Sequence, residues 1–333
     1  MTESFRTQGP LLTLKIDVDT FRGTREGVPN LVRMLRAHDA HATFLFSLGP
    51  DHTGWALKRA FNPGFFKKVS RTSVLEHYGL KTLMYGVLLP APDIGRECAD
   101  QMRAVDVAGF ECGIHTWDHV RWQDNVRKRS ASWTSFIMRR AEDRFRLVFG
   151  RPASTHGAAG WQMNAAAFAE HDGAGYAYAS DGRAMLRENG ALLDPQAGPY
   201  RVSGTHCIQL PTTLPTLDEL LGRTIDGVTI TTANIAEHLL TLTAGAIGAP
   251  DRRDHVYTLH AELEGQKLSP IFEQLLAGWK AQGYQLASMA DYYQKVKDQP
   301  LPDYPVTWGE LPGRSGELIV LGPIAARRGE ARG

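Results

Sequence analysis

The stretch Leu11-Leu12-Thr13-Leu14-Lys15-Ile16-Asp17-Val18-Asp19 decides the fold. Residues 11–16 read as a short, largely apolar strand that stops abruptly at two carboxylates. In a continuing strand, residues i and i+2 point to the same face, so Asp17 and Asp19 aim into one mouth. Asp at a strand end is also ordinary turn or cap chemistry. The pair therefore needs partners from elsewhere in the chain before it makes a site.

Working outward, Val28, Leu31, Val32 and Leu35 recur at helical spacing and predict a helix over 26–37. Residues 42–46 form a second strand of Thr and aromatics. A helix over 94–107 leads to a third strand over 109–114, with His115 at its end. Residues 130–148 space as a helix, closed by Gly150-Arg151-Pro152. Strands follow at 176–179 and 207–210, then a helix at 235–242, a strand at 255–259 and a helix at 269–282. This alternation predicts an α/β fold with a parallel sheet covered by helices, either a barrel or a doubly wound sheet. In such folds ligands bind where strands finish, which is where the polar residues of interest stand. Residues 49–92 are too long for a simple βα connection and are rich in aromatics and bases. From Pro300 the chain turns Pro- and Gly-rich and ends in a polar, arginine-containing tail, expected to be an extended arm or disordered.

Lys+Arg at 37 against Asp+Glu at 36 leaves the chain nearly neutral, which argues against nucleic acid as a partner. Cys98, Cys112 and Cys207 are odd in number and form no CxxC pair. A disulfide framework is thereby excluded and a reducing compartment fits. Residues 1–10 lack an apolar signal region, and apolar stretches such as 83–91 are too short to span a bilayer. A cytoplasmic protein is expected.

His115-Thr116-Trp117-Asp118-His119 is an HxxxH directly after a strand. Two imidazoles at this separation can both reach a metal about 2.0–2.1 Å away. One Asp with two His makes three protein ligands, which leaves a position open for water or substrate. The remaining Asp then suits a general base. His260 ends the strand His255-Val256-Tyr257-Thr258-Leu259-His260, at the same sheet edge as Asp17 and His115. An imidazole there can protonate a departing amine near neutral pH.

The order Asp-x-Asp, HxxxH and late-strand His resembles the polysaccharide deacetylases (carbohydrate esterase family four). That resemblance implies a distorted (β/α) barrel, here with a long insertion after the second strand, and one divalent metal on an Asp-His-His set. A closer likeness rests on Ile16-Asp17-Val18-Asp19-Thr20-Phe21-Arg22-Gly23-Thr24-Arg25-Glu26-Gly27-Val28-Pro29. It is joined by Ser47-Leu48-Gly49-Pro50-Asp51, Gly113-Ile114-His115-Thr116-Trp117-Asp118-His119 and Ala158-Ala159-Gly160-Trp161. Ser180-Asp181-Gly182-Arg183, Leu214-Pro215-Thr216 with Gly222-Arg223, and Tyr257-Thr258-Leu259-His260-Ala261-Glu262 complete the set. These motifs are similar to those of the 4-deoxy-4-formamido-L-arabinose-phosphoundecaprenol deformylases, and the likeness runs over about residues 12–293.

The resemblance implies Asp17 as general base, Asp19, His115 and His119 as ligands of one divalent ion (Zn, Mn or Co), and His260 as general acid. Arg22, Trp161, Asp181, Arg183 and Glu262 become secondary or substrate-contact candidates. The implied substrate is a formamido-arabinose on undecaprenyl phosphate, a polyprenyl-phosphate-linked sugar. Its product amine later modifies lipid A and weakens attraction for cationic antimicrobial peptides. The implied catalytic domain spans 8–298 with an insertion over about 50–92, followed by the extension 299–333. The chain departs from the broad family where that family has an Arg-Pro-Pro motif, since only Arg151-Pro152 remains. Arg151 or Arg183 is then a candidate to orient Asp17, and His156 is a candidate to line the site.

Residues 55–69 mix Trp55, Phe61, Phe65 and Phe66 with Lys58, Arg59, Lys67 and Lys68. Such a mixture suits an anionic membrane surface, or else an ordinary packed insertion with a basic face. A peripheral position on the inner face of the cytoplasmic membrane follows from a substrate that cannot leave the bilayer. The rival readings are an N-deacetylase of another sugar or polysaccharide, and a non-catalytic lipid-sugar binding protein of the same fold.

Overall fold

The computed structural model describes residues 9–56, 80–244, 253–314 and 316–321. Its strands are β1 (Leu11–Val18), β2 (Thr43–Ser47), β3 (Glu111–Thr116), β4 (Thr155–His156), β5 (Tyr178–Ala179), β6 (Tyr200–Val202) and β7 (Ile208–Gln209). They continue as β8 (Thr224–Ile225), β9 (Val228–Thr229), β10 (His255–His260), β11 (Gln285–Ala287), β12 (Asp303–Tyr304), β13 (Val306–Gly309) and β14 (Leu318–Leu321). Ten of them form one sheet in the order β10-β1-β2-β3-β4-β5-β7-β6-β12, with β11 beside β1. From β10 through to β7 every pair is parallel.

β1 lies at the centre of this arrangement. All eight of its residues are buried, as expected for a strand covered on both faces. One edge pairs Leu12–Asp17 with His255–His260 of β10. The other edge is shared, with β11 on Leu11–Thr13 and β2 on Lys15–Val18. Beyond β7 the chain returns to the free edge of β10. Thr213 N donates to Val256 O (3.0 Å), Val256 N donates to Thr213 Oγ1 (2.9 Å), and the Thr212 and Thr258 hydroxyls lie 2.7 Å apart. One backbone bond and threonine hydroxyls, rather than a strand ladder, thus close the curl into a distorted barrel.

The helices pack where the apolar spacing placed them, with two shifts. The expected helix over 94–107 is broken at Cys98 into Ile94–Glu97 and Ala99–Val107, the first capped by the Asp93 carboxylate. The first long helix is Val28–Ala37, preceded by a π-helical turn over Gly23–Gly27. That turn needs its glycines. A Cβ on Gly23 would lie 2.0 Å from Glu262 Oε1, and one on Gly27 would lie 2.1 Å from the Ala261 carbonyl. The repeated glycine of the opening motif therefore lets this turn press against the end of β10.

Ala131–Phe149 is capped by Ser130 and ends at Gly150 in the left-handed region, φ 70°. β3 runs on to Thr116, so His115 stands inside the strand rather than after it. The Pro/Gly-rich extension, expected as an arm, is built into the fold as far as Leu321. β13 and β14 pair antiparallel, Ile319 O accepts from Arg183 N, and Leu311, Leu318 and Val320 pack with Trp161 and Leu186. Residues 57–69 of the expected membrane segment lie outside the described residues. No helix among those described is long and apolar enough to cross a membrane.

Candidate active site

β1, β3 and β10 deliver Asp17, His115 and His260 to one point. Asp17 is the register partner of His260 across the β1–β10 ladder. Beyond Asp17 the chain turns, and Asp19 and Thr20 are held by Glu262, whose Oε1 accepts from Asp19 N (3.1 Å), Thr20 N (2.8 Å) and Thr20 Oγ1 (2.8 Å). Glu262 is buried, and burial together with the Asp19 charge pushes its carboxyl up to about 8 despite the Thr20 hydrogen bond. It fixes the loop that carries Asp19.

The HxxxH pair sits across a strand-to-helix junction. His115 is the penultimate residue of β3, and His119 opens the helix His119–Asn125. Asp118 caps that helix by accepting from Arg121 N (3.0 Å), while its other oxygen contacts His52 Nδ1 at 2.6 Å. His115 Nδ1 lies 2.6 Å from the Gly157 carbonyl, which can only accept, so Nδ1 donates and Nε2 carries the lone pair. That Nε2 is 3.1 Å from Asp19 Oδ1, and His119 Nε2 is 3.5 Å from Asp19 Oδ2.

Both His115 Nε2 and Asp19 Oδ1 are buried without a hydrogen-bond partner. Two lone pairs facing each other at this range repel unless a cation lies between them. The Asp19, His115 and His119 ligand atoms lie within 4.8 Å of one another, so the residues fit a divalent metal ion. Burial would raise the Asp19 carboxyl, but His119, His115 and His260 outweigh it and hold it well below the usual range. Asp19 therefore stands as a carboxylate, the form a metal needs.

Lys15 completes the site, and it was not among the candidates. Its ammonium is buried and donates to Asp17 Oδ2 at 2.8 Å, with the Trp161 ring centroid 5.1 Å away. Asp17 Oδ1 is left buried without a hydrogen-bond partner, 3.7 Å from His115 Nδ1. The clue was present in the sequence: a lysine two residues before Asp17 in an otherwise apolar strand shares its face. Arg151 and Arg183 are engaged elsewhere. Arg151 pairs with Asp106 at 2.6 Å near the surface. Arg183 is buried, but it pairs with Glu219, donates to Leu214 O (3.1 Å) and stacks 4.6 Å over the Trp161 ring.

His260 has a partner from a second unanticipated position. Burial opposes a charge on its ring, but the carboxylates of Asp218, Asp19, Asp17 and Glu264 outweigh this and push it up to about 9. Asp218 is the foremost of these, on the short helix Leu217–Leu220 that follows Leu214-Pro215-Thr216. His260 Nδ1 is buried without a hydrogen-bond partner. Trp161 forms a wall, its indole N–H donating to Thr212 Oγ1 (3.1 Å) and Arg314 stacking at 4.4 Å. Arg22, on the turn after Asp19, pairs with Glu26 four residues on. Asp181 faces away from it, toward His156 at 2.7 Å.

A curled parallel sheet with two carboxylates and three imidazoles at its carboxyl edge defines a hydrolase of the polysaccharide-deacetylase type. Among solved structures, the chain is similar to one from Mycobacterium smegmatis assigned to the polysaccharide deacetylases. The TM-score is 0.56 at 15% identity, over 91% of this chain and 99% of that one. A GH57 branching enzyme of Thermococcus kodakaraensis shares the fold at TM-score 0.53 and 10% identity, over 88% of this chain and 72% of its own. No family model matches the chain. A curated Shewanella sediminis protein, named as a probable 4-deoxy-4-formamido-L-arabinose-phosphoundecaprenol deformylase, is 33% identical over 92% of both chains. A Wigglesworthia glossinidia brevipalpis protein of the same name is 27% identical over 88% of this chain and 96% of its own. The chain belongs to this family of deformylases.

Proposed function

We propose that this chain hydrolyses the N-formyl group of 4-deoxy-4-formamido-L-arabinose carried on undecaprenyl phosphate, giving formate and the free amino sugar. The observation that carries the reading is the convergence of Asp17, Asp19, His115, His119 and His260 on one sheet edge, in a chain of this family. A divalent ion on Asp19, His115 and His119 would polarise the formamide oxygen and acidify a neighbouring water. Asp17, held by Lys15 through one oxygen, takes the water proton on the other as the oxygen attacks the formyl carbon. The C–N bond then breaks as protonated His260 donates to the leaving nitrogen, so that an amine departs rather than an amide anion. Trp161, with Arg183 and Arg314 stacked on it, forms the wall toward the sugar phosphate.

Peripheral binding to an anionic membrane surface belongs to the same reading, because the polyprenyl tail stays in the bilayer. Val87 and Leu88, in the described part of the insertion, are exposed apolar residues that suit such a surface. The test is turnover of the formamido-arabinose lipid beside its acetamido analogue, with Zn, Mn or Co added, followed by mass spectrometry. Loss of formyl alone supports the reading. Acetyl loss favours a general N-deacetylase, and no loss with any metal overturns both. Sedimentation with anionic liposomes tests the membrane part, and a chain left entirely in the supernatant rejects it.

A further inference from the structure

His156, His171 and Asp181 form a second cluster on the opposite face of the same sheet. In β3, His115 points to the active site, so Ile114 and Thr116 point the other way. His156 is the register partner of Ile114. It lines, with Ile114 and Thr116, a cavity of about 460 Å³ under the helices Ala131–Phe149 and Ala165–Ala174. All three residues of the cluster are buried, and their ligand atoms lie within 4.8 Å of one another.

We propose that His156, His171 and Asp181 bind a second divalent metal ion of the zinc type, separate from the active site. Asp181 Oδ1 lies 2.7 Å from His156 Nδ1, and Asp181 Oδ2 lies 3.4 Å from His171 Nδ1. Ligand atoms about 2.0–2.1 Å from a common tetrahedral ion stand about 3.4 Å apart. His171 is the independent sign. Its ring is fully buried, and neither nitrogen has a hydrogen-bond partner. A buried imidazole left so is destabilising unless something is seated against it.

The protonation states suit a metal. Burial, ahead of the opposing pull of Asp181, lowers His171 to about 4 and keeps its ring neutral. Burial would raise Asp181, but charge on the His171 ring in the acid range, with His156, holds it down, so it is already a carboxylate where His171 is neutral. Asp181 is braced by Ala158 N (2.9 Å) and Gln209 Nε2 (2.9 Å), the support expected of a ligating carboxylate. On loading, His156 takes the Nε2–H tautomer, in which Nδ1 offers its lone pair to the ion. Two imidazoles in the set select zinc-like ions over magnesium or calcium. Of the three ligands, His156 lines the cavity, while His171 and Asp181 lie behind its wall. Glu142 also lines it, with Oε1 taken by Tyr176 OH and Oε2 accepting no hydrogen bond, 3.9 Å from Arg146 Nε. Such an ion ties Ala165–Ala174 to the ends of β4 and β5, a structural rather than catalytic role.

The experiment is zinc stoichiometry. Full-length chain is stripped with a chelator, dialysed against Zn²⁺ and analysed by elemental mass spectrometry. Two equivalents per chain are expected in the native protein, and one each in His171→Asn and in the double variant His115→Ala/His119→Ala. Two equivalents in His171→Asn, or none in the double variant, overturns the proposal. In the active-site double variant Zn²⁺ is expected to raise the melting temperature, and adding His156→Ser should abolish that rise. A melting temperature unmoved by Zn²⁺ in the double variant also overturns it.

Discussion

Asp17 is held by Lys15 on one oxygen and left free on the other, which makes it the residue with most to lose from a small change. Asp17→Asn keeps the shape and removes the base. Turnover is expected to fall by about 10²–10⁴-fold with metal content unchanged, checked by kinetics beside elemental analysis. Lys15→Met leaves a carboxylate buried and unpaired, at a cost of about 3–5 kcal/mol in chemical denaturation. Lys15→Met/Asp17→Leu should recover most of that stability and none of the activity. If the double variant is no more stable than Lys15→Met, the buried pair is not the source of the loss. His260 sets the pH response. Its folded-state value of about 9 stands above its ordinary 6.5, so its stabilisation is full below 6.5 and disappears as pH rises through 9. In the metal-free protein this amounts to about 3 kcal/mol between pH 6.5 and 10, absent from His260→Gln. A wild-type stability that does not fall over this range rejects it. The grouping of Asp19, His115 and His119 was legible because ligand-like spacing leaves a mark in sequence. Lys15 was masked by the apolar run around it, and Asp218 reaches His260 from about forty positions upstream, which no local pattern records.

At the scale of elements, apolar runs located the strands, which are buried on both faces, and apolar spacing located the helices, which are buried on one. It missed where they join. The π-helical turn at Gly23–Gly27 and the break at Cys98 are set by what lies opposite, not by local preference. Gly27→Ala places a methyl 2.1 Å from the Ala261 carbonyl, so backbone must move at the loop carrying Asp19. A loss of about 1–3 kcal/mol is expected, with metal affinity falling alongside. Gly173→Ala is the control, in a helix with nothing within 4 Å, and should gain up to about 1 kcal/mol. Thermal denaturation with and without metal checks both. Equal effects at the two positions would count against the close-approach account.

Across the whole molecule, the extension after residue 302 supplies a wall that composition did not announce. Pro and Gly punctuate it, yet Leu311, Leu318, Ile319 and Val320 are buried. Removing four such side chains at about 1.5–3 kcal/mol each is comparable to the total stability of a domain. A chain ended after Pro302 should therefore lack the cooperative melt of the full protein, seen by circular dichroism, and a melt at the native temperature would overturn this. The edge of β1 carries a further consequence, in time rather than space. Its ladder partners lie at 255–260 and 285–287, and Asp19 N is fastened by a carboxylate 243 residues later. During synthesis this fully buried strand emerges with β2 but long before β10 and β11. Folding is then slow and late, the nascent amino-terminal half exposes the unpaired edge of β1, which invites chaperones, and the active site assembles in a single final event rather than piece by piece.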